Sequence, residues 1–188
     1  MKYFISIVAF IFGFSTAVWG EAIHYDLVKD GSKVGFNYTF SNNKVSGKFQ
    51  DYSADLALDF ENIKNTRINV TLNTRTAKAG FLFATQAMLS PQVLDAKAHP
   101  NIIFRSKSVH SDGNTIVIDG MITVRGVTKP LQLTAQVSRK AGTDAKERDN
   151  LRIKITGALN RHDFGASGFS GEVGDMLGIT IDAQIRRK

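Results

Sequence analysis

Apolar side chains recur at every second position through most of this chain, and a period of two confines it to β-strands with one apolar and one polar face. Val34, Phe36, Tyr38 and Phe40 share one face, with Gly35, Asn37 and Thr39 on the other. Ile68, Val70 and Leu72 alternate with Arg67, Asn69, Thr71 and Asn73. Ile116, Ile118, Ile122 and Val124 keep one phase through Gly120, and Leu131, Leu133, Ala135 and Val137 stand opposite Gln132, Thr134, Gln136 and Ser138. Leu151, Ile153, Ile155 and Leu159 follow, then Leu177, Ile179, Ile181, Ala183 and Ile185. Such segments predict antiparallel sheet with one solvated side.

Turn residues separate the segments: Asp30-Gly31-Ser32, Ser41-Asn42-Asn43, Glu61-Asn62 and Ser111-Asp112-Gly113-Asn114, each a composition that supports tight turns. The polar stretch Ala141 to Asn150 reads as a long hairpin loop. Phe49 lies on the odd phase while Tyr52, Ala54, Leu56, Leu58 and Phe60 lie on the even one, which predicts a bulge near Gln50 and Asp51. Ala77 to Ser90, ending at Pro91, has no alternation; it predicts a short helix, with a second turn from Val93 to Ala98. That insertion, residues 78–98, either plugs one barrel end or gates it. Roughly nine or ten strands of about six to ten residues imply a closed or nearly closed all-β barrel, because an open sheet leaves a vulnerable edge. A barrel of about eight or more strands has room for a small ligand.

Export accounts for the beginning of the chain. Lys2 precedes the apolar run Phe4 to Phe14, and small residues surround a cut after Gly20 or Ala22, the anatomy of a signal peptide over residues 1–20. The run is shorter than the roughly 20 residues that a spanning helix needs. About 168 residues remain, enough for one domain, residues 21–188. The chain has no cysteine, so in an oxidising compartment its stability rests on packing alone. Lys and Arg number 24 against 17 Asp and Glu, a formal +7. These charges are scattered, which argues against a nucleic-acid arm. Only Arg186-Arg187-Lys188 clusters, either as a frayed tail or as a contact for anionic lipid.

Five segments resemble the YceI-like family of periplasmic polyisoprenoid-binding proteins: Ser32 to Phe36, Val45 to Phe49, His99 to Ser106, Gly120 to Pro130, and Arg161-His162-Asp163-Phe164-Gly165. They occur in the family's order between about Tyr25 and Ile185. The resemblance implies an extended antiparallel β-barrel, lipocalin-like, located in the periplasm, with an isoprenoid-type lipid such as a polyprenyl phosphate or quinone held inside as ligand. Phe40 stands where the family often carries a His, and Ala79 to Met88 is more apolar than the charged stretch often found there. Neither departure argues against an apolar ligand.

The candidate lining is the set of large side chains on the apolar phases, Phe36, Tyr38, Phe49 and Phe104, with Phe81, Phe83 and Met88 from the irregular segment. Aromatic and thioether groups suit a flexible chain; the alternative is that they fill the core. Arg161 continues the odd apolar phase, so it either presents its donors to a polar head at the mouth or pairs with Asp163 or Asp182. Arg125 and Lys129 are weaker head-group candidates. Phe164 and Phe169, in the glycine-rich stretch Gly165 to Gly178, form a candidate apolar lip.

Catalysis has little support. His24, His99, His110 and His162 are too scattered for metal-ligand spacing, and no nucleophile elbow, phosphate loop or dinucleotide fingerprint is present. His162 and Asp163, as neighbours on a strand, would face opposite ways. The leading expectation is a non-enzymatic carrier of apolar lipid. The alternative is an interaction protein touching the membrane surface or a partner such as a cytochrome b561-type protein, and the third is an enzyme acting on the bound lipid. No metal or other cofactor is expected.

Overall fold

A computed structural model describes residues 21–144 and 146–188, so the expected signal over residues 1–20 lies outside the described residues. The strands are β1 (Ile23–Leu27), β2 (Lys33–Phe40), β3 (Asn43–Phe49), β4 (Tyr52–Leu58), β5 (Arg67–Asn73) and β6 (Ala77–Lys78), followed by helix α1 (Leu82–Leu89). Then come β7 (Asn101–Asp112), β8 (Thr115–Val124), β9 (Val127–Ser138), β10 (Asn150–Asn160) and β11 (Met176–Arg187). Every pairing is antiparallel. Eight strands close in the order β1-β4-β5-β7-β8-β9-β10-β11, because β11 pairs back onto β1 through Tyr25↔Arg187 and Leu27↔Ile185. The other end of β11 pairs with β2, through Gly178↔Asn37 to Asp182↔Lys33, and β3 and β6 extend the wall from there. The all-β barrel read from the periodicity is the observed fold.

Inward phases match the alternation. Leu131, Leu133, Ala135, Ile118, Ile122 and Val124 are buried around Phe104 and Ile102, and a second cluster joins Tyr25, Leu56, Leu58, Leu151, Ala183 and Ile185 at the opposite end. Yet Phe36, Phe49, Ile68, Val70, Ile155 and Ile179, on the same inward phases, are only half-buried. Each lines a cavity on its inner side.

Two glycines help keep that space open. The Phe36 ring lies over its cross-strand partner Gly47, where an added Cβ would sit 2.1 Å from Cζ. The Phe104 ring lies over Gly120, where the corresponding approach is 2.5 Å. A glycine under an aromatic ring lets the ring lie flat on the sheet, so both rings line the wall without filling the lumen.

Local readings need correction in four places. The irregular segment is not helical from Ala77: Ala77 and Lys78 pair with Phe49 and Lys48, and the helix begins at Leu82. The phase change at Gln50 and Asp51 is a break between two strands, since β3 pairs with β2 and β6 whereas β4 pairs with β1 and β5. The bulge lies in β7 instead, between Ser106 and Ser108. The glycine-rich connection stops at Asp175, because β11 begins at Met176.

Candidate functional site

One end of the barrel is ringed by the Ser41-Asn42 turn, the segment from Thr74 to Pro100 that contains α1, the Arg125-Gly126 turn, and the loop from Arg161 to Asp175. Ser41 and Asn42 both have positive φ (45° and 65°), the left-handed pair that turns a two-residue hairpin. The helix is tied down at its start: the Thr85 hydroxyl donates to the Phe81 carbonyl and accepts from the Ala79 N–H, at 2.9 and 3.0 Å. Tyr38 Oη donates to the Ala79 carbonyl at 2.7 Å, and burial raises the phenol's pKa. Arg125 donates to the Pro91 and Val93 carbonyls at 2.6 and 2.8 Å, bracing the segment behind the helix. Those bonds give Arg125 a structural task, and Lys129 is exposed at the start of β9, opposite Ile122.

Beneath this ring lies a cavity of about 390 Å³. Its wall carries ten of the twelve candidates named from the sequence, Phe36, Tyr38, Phe49, Phe81, Phe83, Met88, Phe104, Arg161, Phe164 and Phe169, but neither Arg125 nor Lys129. Phe36 stacks on Tyr38 with centroids 6.1 Å apart and tilts against Phe49 at 5.7 Å, while Phe40 meets Phe81 edge-on at 5.5 Å. Phe104 and Phe164 are buried, whereas Phe81 and Phe83 stand at the rim, 42% and 76% exposed.

Arg161 does something that neither sequence reading proposed. It is 3% exposed and pairs with neither Asp163 nor Asp182; Asp182 holds Arg152 instead, with both oxygens at 2.6 Å. The Arg161 guanidinium donates to four carbonyls of its own loop: Ala166 at 2.5 Å, Gly168 at 2.7 Å, Val173 at 2.9 Å and Gly174 at 3.1 Å. Burial lowers its pKa and the Asp175 carboxylate opposes that shift, yet arginine stays cationic. The residue organises the loop that frames the cavity. It is not a free fork at the mouth.

The His162–Asp163 pair also needs correction. Arg161–Phe164 form a 3-10 turn rather than a strand end. His162 lies 2.8 Å from Asp175 through Nε2 and 3.0 Å from Ser167 Oγ through Nδ1, so it clasps both ends of the loop from outside. Among the described residues, no group of three His, Asp or Glu is placed to hold a metal ion.

A second cavity of about 360 Å³ occupies the other end, and sequence reasoning missed it. It shares Val34, Ile68, Val70, Ile118, Ile155 and Ile181 with the first, so the two lie end to end on a common collar. At its rim, Asp59 shapes the β4–β5 turn by accepting from the N–H groups of Glu61 and Asn62 and from Asn65 Nδ2, at 3.0, 2.7 and 2.9 Å. The Asn62 and Asn65 bonds hold this carboxyl below the usual aspartate range. Phe60 sits beside it, with the Arg148 guanidinium 4.7 Å from its ring centre. The signal for this cavity was present in the alternation of Leu56, Leu58, Ile153, Ala183 and Ile185, but nothing there distinguishes a lined space from a packed one.

The YceI-like domain matches residues 25–185. Among similar proteins are a UPF0312 protein of Pectobacterium atrosepticum, 26% identical over 89% of this chain and 88% of its own, and Protein YceI of Salmonella newport, 26% identical over 87% and 86%. Among solved structures, BcnA of Burkholderia cenocepacia superposes with a TM-score of 0.76 at 18% identity, covering 85% of this chain and 99% of its own. A polyisoprenoid binding domain from Saccharophagus degradans gives 0.63 at 8% identity, over 88% and 99%.

Proposed function

This chain belongs to the YceI-like family, and from that premise we propose that it binds a long apolar lipid of isoprenoid type inside the barrel and carries it through the periplasm. The observation that supports this most is the chemistry of the lumen. On the wall of the first cavity the charged residues are Arg161 and Glu172, and the loop carbonyls occupy the Arg161 donors on both arms of its fork. A charged or richly polar ligand would lose its hydration there without compensation. A hydrocarbon chain loses nothing, and about ten buried CH₂ groups supply on the order of 8 kcal/mol before association costs. The protein acts by binding, and no bond of the ligand need be made or broken.

A lumen that is lined but not filled forgoes stabilisation until a ligand occupies it. Stripping the protein of lipid and returning a polyprenyl quinone at about a hundred times its Kd is expected to raise Tm by about 5–10 °C. Identical melting curves for stripped and reloaded protein would mean that the barrel takes up no such lipid.

A further inference from the structure

Phe83, Leu82, Met176, Phe169 and Phe81 expose 76, 68, 55, 42 and 42% of their surface. Phe81, Phe83 and Phe169 line the first cavity, and Leu82 and Met176 are sequence neighbours of its wall, so these apolar groups surround one opening. No charged residue occurs from Ala79 to Ser90. A helix carrying exposed Leu82 and Phe83 beside a cavity mouth, with no polar face, is costly in water.

The flank beside it is basic. Lys44 and Lys48 stand exposed along β3, and Lys78 lies exposed directly across from Lys48 in the β3–β6 pair. None of the three has an ion pair among the described residues. Like charges facing each other across a strand pair are unfavourable unless an anion is shared. The acids of the rim segments are Asp95, Asp163, Glu172 and Asp175, and Asp175 is engaged by His162 at 2.8 Å. The C-terminal basic residues do not belong here: Arg187 and Lys188 pair with Asp149 and Asp26 at the opposite end of the barrel.

We propose that this end docks on an anionic lipid bilayer, with Leu82 and Phe83 entering the headgroup boundary and Lys44, Lys48 and Lys78 meeting lipid phosphates. The cavity mouth then faces the acyl layer, so a lipid passes between membrane and lumen without crossing water. The purpose assigned to docking rests on the carrier reading, but the surface does not.

Co-sedimentation of the purified full chain with phosphatidylcholine vesicles, with and without phosphatidylglycerol, tests it. Binding is expected only with phosphatidylglycerol and should fall at high salt. The double variant Lys48→Gln/Lys78→Gln should bind roughly twenty-five-fold more weakly, from about fivefold per lysine. Leu82→Glu should remove binding. Uptake of a polyprenyl quinone from detergent should stay unchanged in both variants, since none of these residues lines the lumen. Wild-type protein that takes up quinone but ignores anionic vesicles would overturn the docking proposal and leave the carrier reading standing. Equal binding to neutral vesicles, or full binding by either variant, would also overturn it. So would binding only to native membranes that is lost when their proteins are digested, which would assign the surface to a protein partner.

Discussion

Replacing Arg161 with methionine is expected to lower stability by at least about 3 kcal/mol, although no close ion pair among the described residues is lost. The side chain keeps comparable reach but no donor, and the carbonyls of Ala166, Gly168, Val173 and Gly174 lose their partner together. Each buried acceptor left unpaired costs about 1–3 kcal/mol. The loop relaxes by taking up water, so the costs do not simply add. At roughly 2–4 °C per kcal/mol for a chain of this size, a thermal melt should shift by about 6–12 °C. Limited proteolysis should then open the 165–175 loop first. Arg161→Lys should recover only part of the loss, because an ammonium is a point donor that cannot span carbonyls on both sides of the loop. A methionine variant melting within about a degree of wild type would show that the four bonds contribute nothing net.

The second large effect is expected at the collar between the cavities. Val70 lines both, so Val70→Trp should block the collar between them, taking up the deep end of the first cavity and leaving its rim intact. If a long tail threads through, exclusion of about five CH₂ groups removes on the order of 4 kcal/mol of burial, close to a thousandfold in Kd. A ligand short enough for the first cavity loses nothing comparable. Affinities for prenyl alcohols of increasing length should therefore run together for the two proteins and part beyond a definite length. Parallel losses at every length would place the ligand wholly on one side of the collar. A melting curve of the stripped variant separates such effects from strain of overpacking.

These expectations show where the sequence was legible. The inward phase of each long strand follows from alternation alone, and it brought Phe36, Tyr38, Phe49 and Phe104 to one wall. Closure was readable because an open sheet of that many strands leaves a vulnerable edge, although the expected nine or ten strands exceed the eight that close. The cavities were not, because they depend on the radius of the barrel and on glycines such as Gly47 and Gly120 that let rings lie flat. The role of Arg161 was equally hidden. Its partners are backbone carbonyls, which every residue carries and no motif marks. The start of α1 was misplaced because Ala77 and Lys78 owe their extended form to β3, a partner far away in sequence.

The central claim is that the space inside this barrel belongs to a lipid. Native mass spectrometry of freshly purified protein, followed by organic extraction of the same sample, tests it most directly. The account predicts a bound species of discrete mass that leaves on activation and reappears in the organic phase as an apolar, isoprenoid-type molecule. Protein that repeatedly shows only its own mass, and still does so after incubation with polyprenyl quinones and phosphates, would contradict it.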